Sequence, residues 1–257
     1  MKERRAPGPV RSQAADVLAR LLRLRNPRNI EGMARYGIRP SNPLGISVKT
    51  LRSMAREIGR DHQLALRLWI SGYHEARILA SIIDEPKKAT EQQLEEWAAA
   101  FDSWDLCDQS CANLFERTPL ATRKAVEWSK RSEEFVKRAG FTLIARLAVS
   151  DKSAPDTLFL RFFPMIRRGA RDERNYVVKA VNWALRQIGK RNLILHGAAI
   201  ETANKLLAGR RSSERWVATD ALRELQKPAV MARLREREKR AQSLKRKKTA
   251  RLTAPSV

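Results

Sequence analysis

Apolar residues recur at spacings of three and four along nearly the whole chain beyond the Pro- and Gly-containing stretch from Arg39 to Gly45, and no segment alternates as a half-buried strand would. The pattern predicts helices over roughly 12–25, 47–59, 61–70, 73–83, 90–100, 103–117, 119–130, 133–149, 155–168, 173–189, 192–207, 211–226 and 228–246, joined by short connections. A repeat lies beneath them. Val136 to Leu143, Val178 to Leu185 and Arg215 to Leu222 align with their alanines at 139, 180 and 218, so the spacings are 41 and 38 residues. Those lengths suit two-helix solenoid units of the HEAT or armadillo type, and His74 to Ala80 reads as a more diverged copy. The expected fold is all-α, an α-solenoid of HEAT-like or armadillo-like antiparallel helix pairs with a basic concave face.

Charge adds a partner class. Fifty-two Lys and Arg stand against 28 Asp and Glu in 257 residues, a net charge of +24. The cations recur within the periodic segments, so the folded body should recruit nucleic acid through counterion release. A membrane surface is the weaker alternative, and no run is apolar enough for a signal peptide or a membrane span. Two cysteines cannot build a disulfide framework, which points to a reducing, cytoplasmic setting. The pattern divides the chain into a basic N-terminal arm at 1–11, a helical body at 12–230 and a basic C-terminal helix extension and tail at 231–257. Within the last part, Lys245-Arg246-Lys247-Lys248 and the Thr-Ala-Pro-Ser ending read as a mobile cationic arm.

Against this cationic background, Phe101 to Asp108 gathers three carboxylates and a tryptophan. On a helix Trp104 and Asp108 share a face, a pairing that suits a bound cation. Asp102 and Asp105 have the spacing of an N-cap and its N3 partner, which predicts a capping box. Asp108 shares its face with Cys111 and Phe115, where a carboxylate needs either a ligand cation or a salt bridge to a neighbouring arginine. Arg138 sits near Thr142 and Ala145 on a largely apolar helix. Its planar fork suits phosphate, with an ion pair to Glu133 or Glu134 as the alternative. On the helix from about Asn175 to Lys190, Val177, Val181, Ala184, Leu185 and Ile188 form a buried stripe, while Trp183 lies with Lys179, Arg186 and Lys190 on the other side. Trp69, Trp97, Trp128 and Trp216 are expected in the core. Cys107 and Cys111 with three histidines make no metal-ligand cluster, and no phosphate-binding glycine loop occurs.

Taken in order, Tyr36-Gly37-Ile38, Gly45-Ile46 before Leu51-Arg52, Ser103-Trp104-Asp105 through Asp108, Phe135 to Ala139 and Lys179 to Trp183 resemble the AlkD-like DNA alkylation repair enzymes over about residues 30–230. The resemblance implies a HEAT-like solenoid and a glycosylase that removes cationic N3- or N7-alkylated purines from double-stranded DNA without metal or other cofactor. It further implies that the lesion is engaged from the backbone side without base flipping. By position, Asp108 resembles the family's catalytic carboxylate, Trp104 and Trp183 its two aromatic residues beside the damaged nucleotide, and Arg138 the arginine near the lesion backbone. Lys179, Arg186 and Lys190 are expected to contact DNA, and a monomer is the expected state. The alternative is a non-catalytic HEAT-repeat protein that binds distorted or branched DNA. RNA-binding or protein-interaction scaffolds are further rivals.

Overall fold

Asn26-Pro27 opens the first helix that the periodicity does not predict. Asn26 accepts from the Asn29 amide as an N-cap and Pro27 fixes the first helical position, yet the helix is short and its apolar stripe is limited to Ile30, Met33 and Ala34, all only half-buried. In the computed structural model, which describes residues 9–252, the elements of the first unit are α1 (Pro9–Arg23), α2 (Pro27–Arg35), α3 (Val48–Ile58), α4 (His62–Ile70), α5 (His74–Ile83), α6 (Glu91–Ala99), α7 (Trp104–Asn113) and α8 (Ala121–Trp128). A single 3₁₀ turn at Phe115–Arg117 follows α7. Helix α9 (Glu134–Ser150) contains the division into two compact units, between Leu143 and Ile144. The second unit continues with α10 (Asp156–Leu160), α11 (Phe163–Gly169), α12 (Asn175–Gly189), α13 (Leu193–Leu207), α14 (Ser212–Leu225) and α15 (Pro228–Leu252).

No strand occurs among the described residues, as the all-α reading requires. The helix predicted over 155–168 is broken because Pro164 lacks an amide hydrogen and sits instead in the first turn of α11. Helix α1 begins at Pro9, three residues earlier than expected, and the rest of the predicted N-terminal arm lies outside the described residues. Helix α15 runs to Leu252 through Lys245–Lys248, where the sequence predicts a mobile arm; the Thr-Ala-Pro-Ser ending lies outside the described residues. No helix among the described residues is long and apolar enough to cross a membrane.

In the first unit α5 packs against α3, α4 and α7. Its aromatic core runs from Trp69, stacked on Trp97 at 3.9 Å, through Phe101 and Phe115 to the fully buried Trp128. The Trp128 indole donates to Glu95 at 2.7 Å, so its one polar atom is satisfied. In the second unit α13 packs against both α12 and α14, and α15 covers α13 and α14. The aligned alanines 139, 180 and 218 are all buried, as close packing of repeated helices demands. Trp216 departs from its expected place in the core: it is 44% exposed, because its α14 position falls outside the buried row of Val217, Ala218 and Ala221.

Candidate functional site

The site begins at the first turn of α7. Ser103 occupies the N-cap with no side-chain bond to the helix, so the capping box predicted for Asp102 and Asp105 does not form. Both acids are taken by partners distant in sequence. Asp102 accepts from the Ser41 amide at 2.9 Å and the Ser41 hydroxyl at 3.1 Å, and Asp105 pairs with His74 Nε2 at 2.8 Å. Burial alone would lower the His74 pKa, but the hydrogen bond and charge of Asp105 outweigh it and raise the value. Asp105 moves the other way, since the His74 bond overcomes the burial that would raise it.

These contacts hold the 36–46 segment beside α7. The Trp104 indole donates to the Tyr36 carbonyl at 3.1 Å, fixing the ring plane, and Tyr36 itself is 76% exposed. Glu75 is buried and accepts from the amides of Leu44, Gly45 and Ile46 at 2.7, 2.6 and 3.2 Å, which compensates an otherwise costly buried carboxylate. Gly45 has φ +76, and a Cβ there would meet the Asn26 carbonyl at 2.3 Å, so this clamp needs glycine.

One turn into α7, Asp108 faces α9. Its Oδ1 accepts from Arg138 Nε and from the Thr142 hydroxyl, both at 3.0 Å, and its Oδ2 accepts from Arg138 Nη2 at 2.7 Å. Arg138 therefore pairs with Asp108 rather than with Glu133 or Glu134, because its position turns it inward; Glu133 is paired with Arg131. The guanidinium carbon lies 5.7 Å from the Trp104 ring centre. Burial acts to lower the Arg138 pKa, but the Asp108 charge and hydrogen bond raise it on balance. Arg138 is 6% exposed and, with its fork turned onto Asp108, supports the carboxylate. Cys107 and Cys111, both fully buried, seat α7 on α9 through contacts to the Phe135 and Ala139 carbonyls.

The other expected residues belong to α12 in the second unit. The predicted stripe of Val177, Val181, Ala184, Leu185 and Ile188 is buried throughout, and Lys179 is exposed. Trp183 is half-buried rather than open. Arg186 and Lys190 are both paired with Glu224 of α14, and Arg186 also lies 3.7 Å from Asp220. Their charge is thus largely answered within the protein, a consequence of the 38-residue repeat placing α14 acids opposite α12 cations. Among the described residues no group of His, Cys, Asp or Glu is arranged to hold a metal ion.

Thr142, Tyr36 and Glu75 complete the site without having been marked as functional by sequence. Tyr36 carried a signal as part of the resembling run Tyr36-Gly37-Ile38, and Thr142 as a small residue beside Arg138.

Comparison with known proteins gives this geometry a family. Residues 17–225 match the family described as DNA alkylation repair enzyme. Uncharacterized protein Lin0241 of Listeria innocua and uncharacterized protein Lmo0209 of Listeria monocytogenes are each 23% identical over 187 residues, covering 71% of this chain and 81% of the relative. A solved structure described as "a new family of proteins related to the HEAT-like repeat DNA glycosylases with affinity for branched DNA structures" superposes with a TM-score of 0.68 at 19% identity, covering 82% of this chain and 94% of that one. The fold is accordingly the HEAT-like repeat fold expected from the sequence. With four-fifths of its length matched, the chain belongs to the DNA alkylation repair enzyme family.

Proposed function

We propose that the protein is a DNA-alkylpurine N-glycosylase that hydrolyses the glycosidic bond of cationic N3- or N7-alkylated purines in duplex DNA and leaves an abasic site. Alkylation makes the purine a good leaving group, so the enzyme's task lies at the sugar. As the bond lengthens, positive charge develops on the deoxyribose, and a fixed carboxylate stabilises that state more than the ground state.

The observation that carries this reading is the holding of Asp108. Three donors occupy three of the roughly four lone-pair positions of a carboxylate, leaving about one for a ligand or an oriented water. The Asp108 side chain keeps 20% of its surface exposed, whereas Arg138 keeps 7%. The acid is therefore the presented group and the arginine its support. A carboxylate already bonded in place needs little reorganisation as charge develops. Trp104, tethered through its indole nitrogen, supplies an aromatic face at the same turn; Trp183 is assigned the second aromatic contact. Cation–π contacts of this kind contribute about 0.5–2 kcal/mol each. Lys179 is the α12 cation best placed for a phosphate, since Arg186 and Lys190 must first leave Glu224. Engagement of the lesion from the backbone side, without base flipping, belongs to the same proposal.

A second reading, a non-catalytic binder of branched DNA, is favoured by the structural neighbour's described affinity and by the neutralisation of Asp108 by Arg138. Single-turnover incubation with a duplex carrying one N7-alkylguanine separates the two. Base release faster than spontaneous depurination is expected. Release at the spontaneous rate, with tight binding to a branched duplex, establishes the second reading.

A further inference from the structure

A cavity of about 510 Å³ in the second unit is lined by the end of α9, the end of α12 and the first turns of α15. Its charged lining comprises Lys152, Lys190, Arg191, Arg233 and Arg237 against the single carboxylate of Asp156. The two α15 cations that line it, Arg233 and Arg237, lie beyond the residues that match the family.

The five cations differ in what they have left to offer. Arg191 stacks on Phe159 at 3.9 Å and donates to the carbonyls of Ala148 and Asp151, both at 2.8 Å, so its fork closes the end of α9. Lys190 is paired with Glu224. Arg237 gives one nitrogen to the Lys190 carbonyl at 3.0 Å. Lys152 and Arg233 have no hydrogen-bond or acidic partner among the described residues. Asp156 accepts from Asn192 Nδ2 at 2.8 Å and cannot answer the whole cluster. Burial, then the charges of Arg237 and Arg191, hold the Lys152 ammonium below its ordinary pKa. Like charges have thus been gathered around a space large enough for a phosphate and its sugar, and an anion seated there offsets their repulsion.

We propose that this cavity is a DNA backbone phosphate site in which Lys152, Arg233 and the outer side of Arg237 take a phosphodiester distant in sequence from the Asp108 cluster. It extends the DNA footprint onto α15, an element that the family match does not include. The site adds affinity and register without touching the reacting nucleotide.

The test is duplex binding by the full-length chain across a range of salt, with an internally labelled duplex ending in 5′-hydroxyls. Lys152→Ala/Arg233→Ala is compared with Lys87→Ala/Lys130→Ala, a pair of exposed cations in the first unit that removes the same charge. Each lost phosphate contact lowers the log–log salt slope by about 0.9. A drop of about 1 to 2 in the first double variant, absent from the second and restored by Lys152→Arg/Arg233→Lys, supports the site. Equal slopes and affinities in the two Ala pairs overturn it. A loss seen only on a 5′-phosphorylated duplex also overturns it, since the cavity then takes a strand terminus. The proposal rests on DNA being the partner: absence of duplex binding at any salt fails that broader reading, whereas binding with an unchanged slope fails only this site.

Discussion

Two acid–base contacts between neighbouring helices, Asp108–Arg138 on α7 and α9 and Glu224 with Arg186 and Lys190 on α14 and α12, use the same chemistry in opposite ways. In the first, the arginine side chain is 7% exposed and the carboxylate 20%, so the cation is sunk and the acid is shown. In the second, Arg186 and Lys190 are each 27% exposed and Glu224 is 24%, so neither charge is presented over the other. A sunken cation fixes an acid for use, whereas level partners cancel. The electrostatic character of a site therefore follows from the order of burial as much as from the residues present.

The comparison breaks most visibly in stability. Arg138→Ala leaves Asp108 without its fork in a largely desolvated place and is expected to cost roughly 3 kcal/mol in denaturant unfolding. Arg186→Ala removes one member of a partly solvated pair and should cost under about 1 kcal/mol. Equal losses would erase the distinction. Trp183→Ala comes next: single-turnover excision should fall by the loss of a contact of about 0.5–2 kcal/mol, with little change in melting temperature. A large melting shift with normal excision would make Trp183 a packing residue. Glu224→Gln has a smaller effect and an opposite sign, because it releases Arg186 and Lys190. Duplex affinity should rise several-fold and the salt slope steepen, with stability nearly constant; unchanged binding would show that these cations do not reach DNA.

The smallest effect lies in the pH dependence of stability. His74 has a folded pKa above its ordinary 6.5, so its contribution is complete below that value and is lost as pH rises through the folded one. Asp105 is lowered from 3.8, so its contribution is present above that value and is lost as pH falls through the folded one. The stability difference between wild type and His74→Gln should therefore be greatest between about pH 4 and 6.5 and shrink on either side. Melting curves that differ by a constant amount at all pH values contradict the ion pair.

Periodicity located nearly every helix because each buries one stripe, and the stripe of α12 was read residue by residue. Helix α2 escaped because it is short and its stripe is only Ile30, Met33 and Ala34, although Asn26-Pro27 carried its start signal. Trp104 and Asp108 were legible as a pair because they lie four residues apart on one helix. Arg138 was legible as a candidate but not as the support of Asp108, since that contact spans 30 residues and depends on how α9 is rotated. The same limit explains Asp102 and Asp105, whose partners Ser41 and His74 lie outside any local window. Trp216 was misplaced because an apolar residue type says nothing about which side of α14 is covered. Glu75 went unmarked because a buried carboxylate has no sequence signal apart from the backbone amides that meet it.

In the proposed glycosylase, Asp108 acts on the sugar while Arg138 holds it. The most direct test is single-turnover excision of N7-alkylguanine by Asp108→Asn at saturating enzyme, with duplex affinity and circular dichroism measured on the same protein. A loss of about 10²–10³ in rate is expected, with the fold intact and affinity equal or higher, because charge stabilisation goes while no phosphate contact is lost. Near-normal excision by Asp108→Asn would contradict this role.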